Sequence, residues 1–363
     1  MINQMEPWLG KEEQKAISEY LKSGGWITEF KKTREFEKMI ADYTGSKYVS
    51  VVNNGTIALT VALMAKGIGM GDEVIVPDYT MIASANAVVL AKAEPVFVDI
   101  NSKNLCLDYE LTKRAVNNKT KAIILVTING RYPEMEKFAE LAKEKGLFLL
   151  EDAAQSLGCF YKGKHLGTFG NAGTLSFSSP KVITTGQGGA ILTDDEEIYE
   201  NVLKIKDFGR KEAGIDCHEM IGYNFKFTDL QAVIGIEQMK KLSWRIKRKK
   251  EIYAEYYELL KNIPEIKFIE TDLENTSPWF IDIIVDGEKR ELLINFLKER
   301  QIGTRPFYPA IHTQKPYVHI KESFKNSEEI SKKGLWLPSS SFLKNEDIIM
   351  ICNLIKEFYE SSS

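Results

Sequence analysis

The chain has 363 residues, 44% of them apolar and 27% charged, with a formal net charge of −3. That length suits two folded units, and the composition supports a large buried core and excludes wholesale disorder. The slight acidity argues against a nucleic-acid partner, since phosphate binding usually shows as a basic excess.

The start, "MINQMEPWLGKEEQ", is charged too early for a secretory h-region, and no apolar run approaches the ~20 residues that cross a bilayer. Cys106, Cys159, Cys217 and Cys352 are scattered with no CxxC pair, and the four histidines are dispersed too. The expectation is a cytoplasmic protein with neither a disulfide framework nor a metal site.

In chain order the first informative stretch is "VVNNGTIALTVAL". A strand ending at Val52 hands over to a helix opened by Gly55 and Thr56. Unpaired N–H groups at a helix start suit a phosphate, and the Thr56 hydroxyl can add to them. Taken alone, the same residues make a plain capped turn. "DEVIVP", "EPVFVDI", "KAIILVT" and "GLFLLED" then read as short buried strands, with helical patterns at 57–67 and 135–146 that close on glycine. This alternation implies a mainly parallel sheet covered on both faces.

In "FLLEDAAQSLG" an acidic pair ends a buried strand, placing Asp152 at the carboxyl edge of the sheet, where open α/β folds bind ligands. A helix beginning there would put Gln155 on the same face; a capping aspartate is the simpler reading of the motif in isolation. "SFSSPKVITTGQGGAILTDD" surrounds the single Lys181 with small residues, and both flanks read as buried strand. A lysine is a nucleophile only as the neutral amine, which burial promotes.

Beyond residue 240 the pattern changes. "KKLSWRIKRKKEIYAEYYELLKN" reads as a long charged helix. The basic run at 240–250 is taken as a solvated helix face rather than a nucleic-acid patch. Strand-like "PWFIDIIV" and helical "ELLINFLKERQ" follow, so the division is a large domain over 1–245 and a smaller α+β domain over 246–363.

Three parts thus occur in order: an anion cradle at Gly55 and Thr56, an acid at Asp152 and a lysine at Lys181. Together they match the needs of pyridoxal 5′-phosphate (PLP). No dinucleotide, P-loop, nucleophile-elbow or zinc-protease motif competes.

At these residues the chain also resembles the DegT/StrS-type sugar aminotransferases. The likeness is carried by "NNGTIAL", "GDEVIVPDYT", "EDAAQSLG", "GKHLGTFG", the lysine stretch, "IGYNFKFTDLQAVIG" and "GTRPFYPAIH", and it is most like the GDP-perosamine synthase-like subgroup. The resemblance implies a fold-type-I, aspartate aminotransferase-like α/β architecture and a homodimer with shared active sites. It gives Lys181 the imine with the cofactor and the proton transfers. Asp152 would face the pyridinium nitrogen and Gln155 the phenolic oxygen. Gly55, Thr56 and Ser176 would hold the phosphate, joined by Asn224 from a second subunit. Arg305 and His312 would stand near the substrate.

The motifs depart from the family in three places. Met81 stands where an aromatic ring usually covers the cofactor, and its thioether can cover a ring face instead. "VTING" replaces the common "VHLYG", so Thr127 and Asn129 alter the polar groups expected near the substrate, and Gln187 replaces a frequent glutamate. A branch of the family with histidine in place of the lysine dehydrates sugars, and Lys181 argues against that chemistry here. The implied activity moves the amino group of L-glutamate to a nucleotide-linked 4-keto-6-deoxyhexose for surface polysaccharides. Two other readings stay open, a transaminase of a small phosphorylated ketone and a PLP-binding regulatory protein without turnover.

Overall fold

The β-branched runs form the strands expected of them. In a computed structural model that describes residues 1–361, the large sheet contains β1 (Tyr48–Val52), β2 (Glu73–Pro77), β3 (Glu94–Val98), β4 (Thr120–Val126), β5 (Phe148–Asp152), β6 (Ala172–Ser176) and β7 (Gly189–Thr193). Their order across the sheet is β1-β7-β6-β5-β4-β2-β3. β7 runs antiparallel to both of its neighbours, and every other pairing is parallel. All strands but β7 therefore deliver their carboxyl ends to one edge, and the loops after β1, β2, β5 and β6 meet there.

The helices cover both faces. α1 (Lys11–Lys22) and α2 (Lys31–Thr44) precede the sheet. α3 (Gly55–Ala65) is buried nearly all round, including Ala58, Leu59, Val61, Ala62 and Leu63. An α-helix without a polar face must be enclosed. α3 is, between the sheet, α4 (Ala83–Leu90) and α7 (Glu196–Lys206). The Asn54 side chain starts it by accepting the Ile57 N–H at 2.9 Å, a cap that contributes about 1 kcal/mol. α5 (Tyr109–Ala115) and α6 (Met135–Lys145) follow β3 and β4, and α6 stops at Gly146 with φ +65°.

α8 (Asp229–Lys240) leads into α9 (Leu242–Leu260), the long charged helix. Its basic run is only in part the solvated face expected from the sequence: Lys240 and Lys247 are exposed, but two of its cations turn inward. Arg245 and Lys249, one turn apart, are 3% and 0% exposed. Arg245 donates to the carbonyls of Val182 and Trp8, and Lys249 to those of Trp279 and Ser339. Buried cations require such partners, and the loops that supply them are remote in sequence. Farther along α9, Ile252, Tyr256 and Leu260 pack into a separate core.

That second core surrounds a four-stranded antiparallel sheet in the order β8-β9-β11-β10, made of β8 (Ile266–Phe268), β9 (Ile281–Val285), β10 (Arg305–Pro306) and β11 (Gly334–Leu337). α10 (Gly287–Glu299), α11 (Lys325–Lys333) and α12 (Asn345–Glu360) complete this part. The strand read from Pro278 begins only at Ile281; Trp279 and Phe280 lie before it and turn toward the large sheet. No helix among the described residues is long and apolar enough to cross a membrane.

Candidate active site

A cavity of about 540 Å³ opens where the parallel strands of the large sheet end, with the second sheet closing one side. Its lining brings together Gly55, Thr56, Asp152, Gln155, Ser176 and Lys181, drawn from 126 positions of sequence. Met81 and Arg305 complete the set of expected residues on its wall.

The anion cradle is the start of α3. The Asn54 cap satisfies Ile57, and no acceptor among the described residues answers the Gly55 and Thr56 N–H groups. Gly55 allows a close approach: a Cβ there would lie 3.0 Å from Cβ of Ser176 and fill the space between the helix start and β6. Gly189 is required for a similar reason, because its Cβ would meet the Asn54 carbonyl oxygen at 2.5 Å. Gly189 therefore lets β7 lie directly against the cradle. Free helix-start N–H groups beside two serine hydroxyls, Ser176 and Ser178, are the kind of donor set that suits a phosphate.

Asp152 is 6% exposed at the end of β5. Its carboxylate accepts from Ser84 Oγ at 2.7 Å and from the Ala154 N–H at 3.2 Å. Burial pushes its pKa up, while the Ser84 hydroxyl, the Ala154 amide and the charge of Lys181 pull it down. Its neighbour Glu151 points the other way, accepting N–H bonds from Gly167, Phe169 and Gly170. The acidic pair thus divides its work, one carboxylate ordering a loop and the other facing the cavity. No helix begins at Asp152; residues 153–158 form turns. Gln155 reaches the cavity anyway, with its Oε1 accepting the Asn129 N–H at 2.7 Å, which leaves the Nε2 donor for a ligand.

Lys181 lies in the loop between β6 and β7. Burial in the pocket pushes its amine down to about 7; the Asp152 carboxylate opposes the shift and the Arg305 charge adds to it. No hydrogen-bond acceptor among the described residues takes Nζ, which instead sits 3.8 Å from the ring centroid of Trp279. Trp279 has no counterpart in the sequence reading, and neither has Ser84. A tryptophan beside a proline just before a strand was the available signal for the first. The second lies in a run of small residues after "PDYT" that carries no chemical signature.

The remaining expected residues stand outside the cavity's lining. Thr127 and Asn129 are buried and turned away from it. Thr127 pairs with Ser156 at 2.6 Å, and Asn129 donates to the Phe280 carbonyl and to Asp282 at 2.9 and 2.8 Å. His312 is held by Asp78, which accepts both its N–H and Nδ1–H at 2.8 and 2.7 Å. Asn224 is exposed on the loop after α7, its backbone bridged to Asp207. No cluster of metal-binding side chains occurs among the described residues.

The donor set fits PLP: N–H groups for a dianion, a buried carboxylate for a protonated ring nitrogen, an amide donor for an oxygen, and an amine that is partly neutral near pH 7. Comparisons with known proteins agree. Residues 7–356 match the DegT/DnrJ/EryC1/StrS aminotransferase family. The chain is 37% identical over 355 residues to the GDP-perosamine synthase of Escherichia coli O157:H7, covering 98% of this chain and 97% of that one. Among solved structures it is similar to Helicobacter pylori PseC, an aminotransferase involved in the biosynthesis of pseudoaminic acid, with TM-score 0.92, 26% identity and 99% of both chains covered. It is also similar to the PLP form of Spr1654 from Streptococcus pneumoniae, with TM-score 0.93, 26% identity and 98% of both chains covered. The chain belongs to the DegT/DnrJ/EryC1/StrS aminotransferase family and is a PLP-dependent transaminase.

Proposed function

We propose that the protein transfers the amino group of L-glutamate to a nucleotide-linked 4-keto-6-deoxyhexose, at C4 or C3, in the cytoplasmic synthesis of an amino sugar for surface polysaccharide. The observation that carries this reading is the joint lining of one cavity by the α3 cradle, Asp152 and Lys181, in a chain whose relatives include the GDP-perosamine synthases of Escherichia coli and Vibrio cholerae.

When bound, PLP supplies the carbonyl carbon that takes up the amino group and the ring that draws electrons from the substrate carbon. The Gly55 and Thr56 N–H groups, with Ser176, hold its phosphate. Asp152, kept in place by Ser84, is the carboxylate for the ring nitrogen. Gln155 offers Nε2 to the phenolic oxygen, and Met81, 43% exposed at the rim, covers the ring face. Lys181 accepts and returns a proton at Nζ, which an amine near pKa 7 does in both directions at neutral pH. Arg305 stands on the same wall, its guanidinium carbon 5.6 Å from the Tyr308 ring and 5.4 Å from the Trp336 ring; it is the cation for an anionic group of the substrate or the donor.

The working unit in this proposal is a homodimer with active sites at the interface. Trp26 and Ile221, 67% and 78% exposed, are large apolar side chains on the same side as the loop that carries Asn224. Asn224 would then complete the phosphate site of the second copy. Thr127 and Asn129, which make a small phosphorylated ketone a credible alternative substrate, form their bonds inside the protein, and this supports the sugar-nucleotide reading over that alternative.

The test is an assay of purified holoenzyme with glutamate and either a 4-keto-6-deoxyhexose nucleotide or a simple keto-phosphate. Turnover of the sugar nucleotide, lost in Lys181→Ala, is the expected result. Turnover of the keto-phosphate alone, or normal turnover by Lys181→Ala, would overturn the proposal.

A further inference from the structure

Lys181 meets at close range a side chain that the sequence motifs do not include. Trp279, from the segment before β9, is 2% exposed and presents its ring face to Nζ with the centroid 3.8 Å away. Three contacts prevent the indole from turning. Its Nε1–H donates to the carbonyl of Pro180, the residue before Lys181, at 2.8 Å. Its own carbonyl accepts from the buried Lys249 ammonium at 2.9 Å. The ring stacks on Phe280 at 3.8 Å with an interplanar angle of 20°. The second sheet is thereby pinned to the loop that carries the reactive amine, through a ring and not through an ion pair.

We infer that Trp279 is a positioning residue for Lys181: its π face holds the amine in one place and steadies the protonated form whenever that amine is not bonded to the cofactor. The choice of group matters chemically. An aromatic face attracts an ammonium but takes no proton and forms no directional bond. A carboxylate at the same distance would hold Lys181 charged through the whole neutral range. An aliphatic side chain would leave the ammonium with less compensation for its lost water. The other groups facing Lys181 are Asp152, which favours the charged form, and Arg305, which opposes it. Tyr308 lines the same cavity, and burial pushes its hydroxyl far above the neutral range, so it adds no charge. Asp152 outweighs Arg305, so the ring adds to a net pull toward the ammonium that burial opposes.

This deepens the proposed function and rests on Lys181 being the reactive amine. It is tested on the full chain freed of cofactor, by following acetylation of Lys181 with acetic anhydride against pH, peptide by peptide in the mass spectrometer. Trp279→Leu should lower the apparent pKa of Lys181 by about 0.4–1.5 units, whereas Trp279→Phe, which keeps a π face, should lower it by less than half as much. An unmoved or raised value in Trp279→Leu would overturn the inference, because it would mean that the ring only excludes water. If Trp279→Leu does not fold, uniform replacement of the five tryptophans by 5-fluorotryptophan weakens the π face at nearly constant shape. The pKa should then fall by a smaller step, and no fall is again the refuting result. Because the titration uses neither cofactor nor substrate, its failure would leave the aminotransferase assay with Lys181→Ala to stand or fall by itself.

Discussion

Gly189→Ala perturbs the cradle without removing any group that bonds a ligand. Gly189 is opposite Val52 in the β1–β7 ladder. A Cβ there would lie 2.5 Å from the Asn54 carbonyl oxygen and 2.8 Å from the Gly55 nitrogen. Carbon contacts settle near about 3.5 Å, so one backbone must move by roughly 1 Å, and no flexible side chain can absorb the shift. Overpacking of this kind costs about 1–3 kcal/mol of stability. The displaced atoms include the N–H groups meant for the phosphate, and losing one or two charge-assisted bonds of about 1.5 kcal/mol each weakens PLP binding about 10- to 100-fold. Gly146→Ala is the control. Its φ is +65° and a Cβ there meets nothing within 4 Å, so it costs about 1–2 kcal/mol through backbone strain alone. Thermal melts of both variants, with absorbance titrations of PLP into the cofactor-free chain, separate the effects. Similar melting losses with weakened PLP only in Gly189→Ala are expected. Normal PLP affinity in a folded Gly189→Ala protein would refute the assignment of the cradle.

Ser84→Ala removes the 2.7 Å hydrogen bond to Asp152. The carboxylate then titrates higher, so the acid limb of the pH–rate profile should move to higher pH; an unmoved limb would count against Asp152 as the ring-nitrogen partner. Arg305→Ala should raise KM for the anionic substrate about 10- to 100-fold, the worth of one charge-assisted bond, with kcat changed much less and Arg305→Lys recovering part of the loss. Equal falls in kcat and kcat/KM would instead place Arg305 in the chemical step. Lys249, wholly buried on α9, is pushed down to about 7 by burial and by the nearby Arg245 charge. Below about 7 folded and unfolded chains both hold this proton. Between about 7 and the usual 10.5 only the unfolded chain does, so the wild type should gain stability as pH rises through that window. Urea melts at pH 7 and 9.5 should show about 1–3 kcal/mol of this gain in the wild type relative to Lys249→Met, a comparison in which Lys181 cancels; no pH-dependent difference would show that Lys249 stays charged in the fold.

The chain order alone determined the alternation of strands and helices, because each is short, dense in apolar residues and closed by a local stop such as Gly146. It also determined that a helix start, an acid and a lysine follow strands of one sheet, and parallel topology is enough to bring such positions to a common edge. Other features depended on contacts between residues far apart in sequence. Ser84 supports Asp152 from 68 positions away, and Trp279 reaches Lys181 from another sheet. Arg245 and Lys249 turn inward because backbone carbonyls of Val182, Trp8, Trp279 and Ser339 are waiting there, and no helical periodicity shows that. Thr127 and Asn129 follow a strand as ligand-binding residues do, yet their partners Ser156 and Asp282 turn them inward. Local propensity sets where an element begins and ends, whereas the direction a side chain finally takes is settled by whichever partner the packed fold places within its reach.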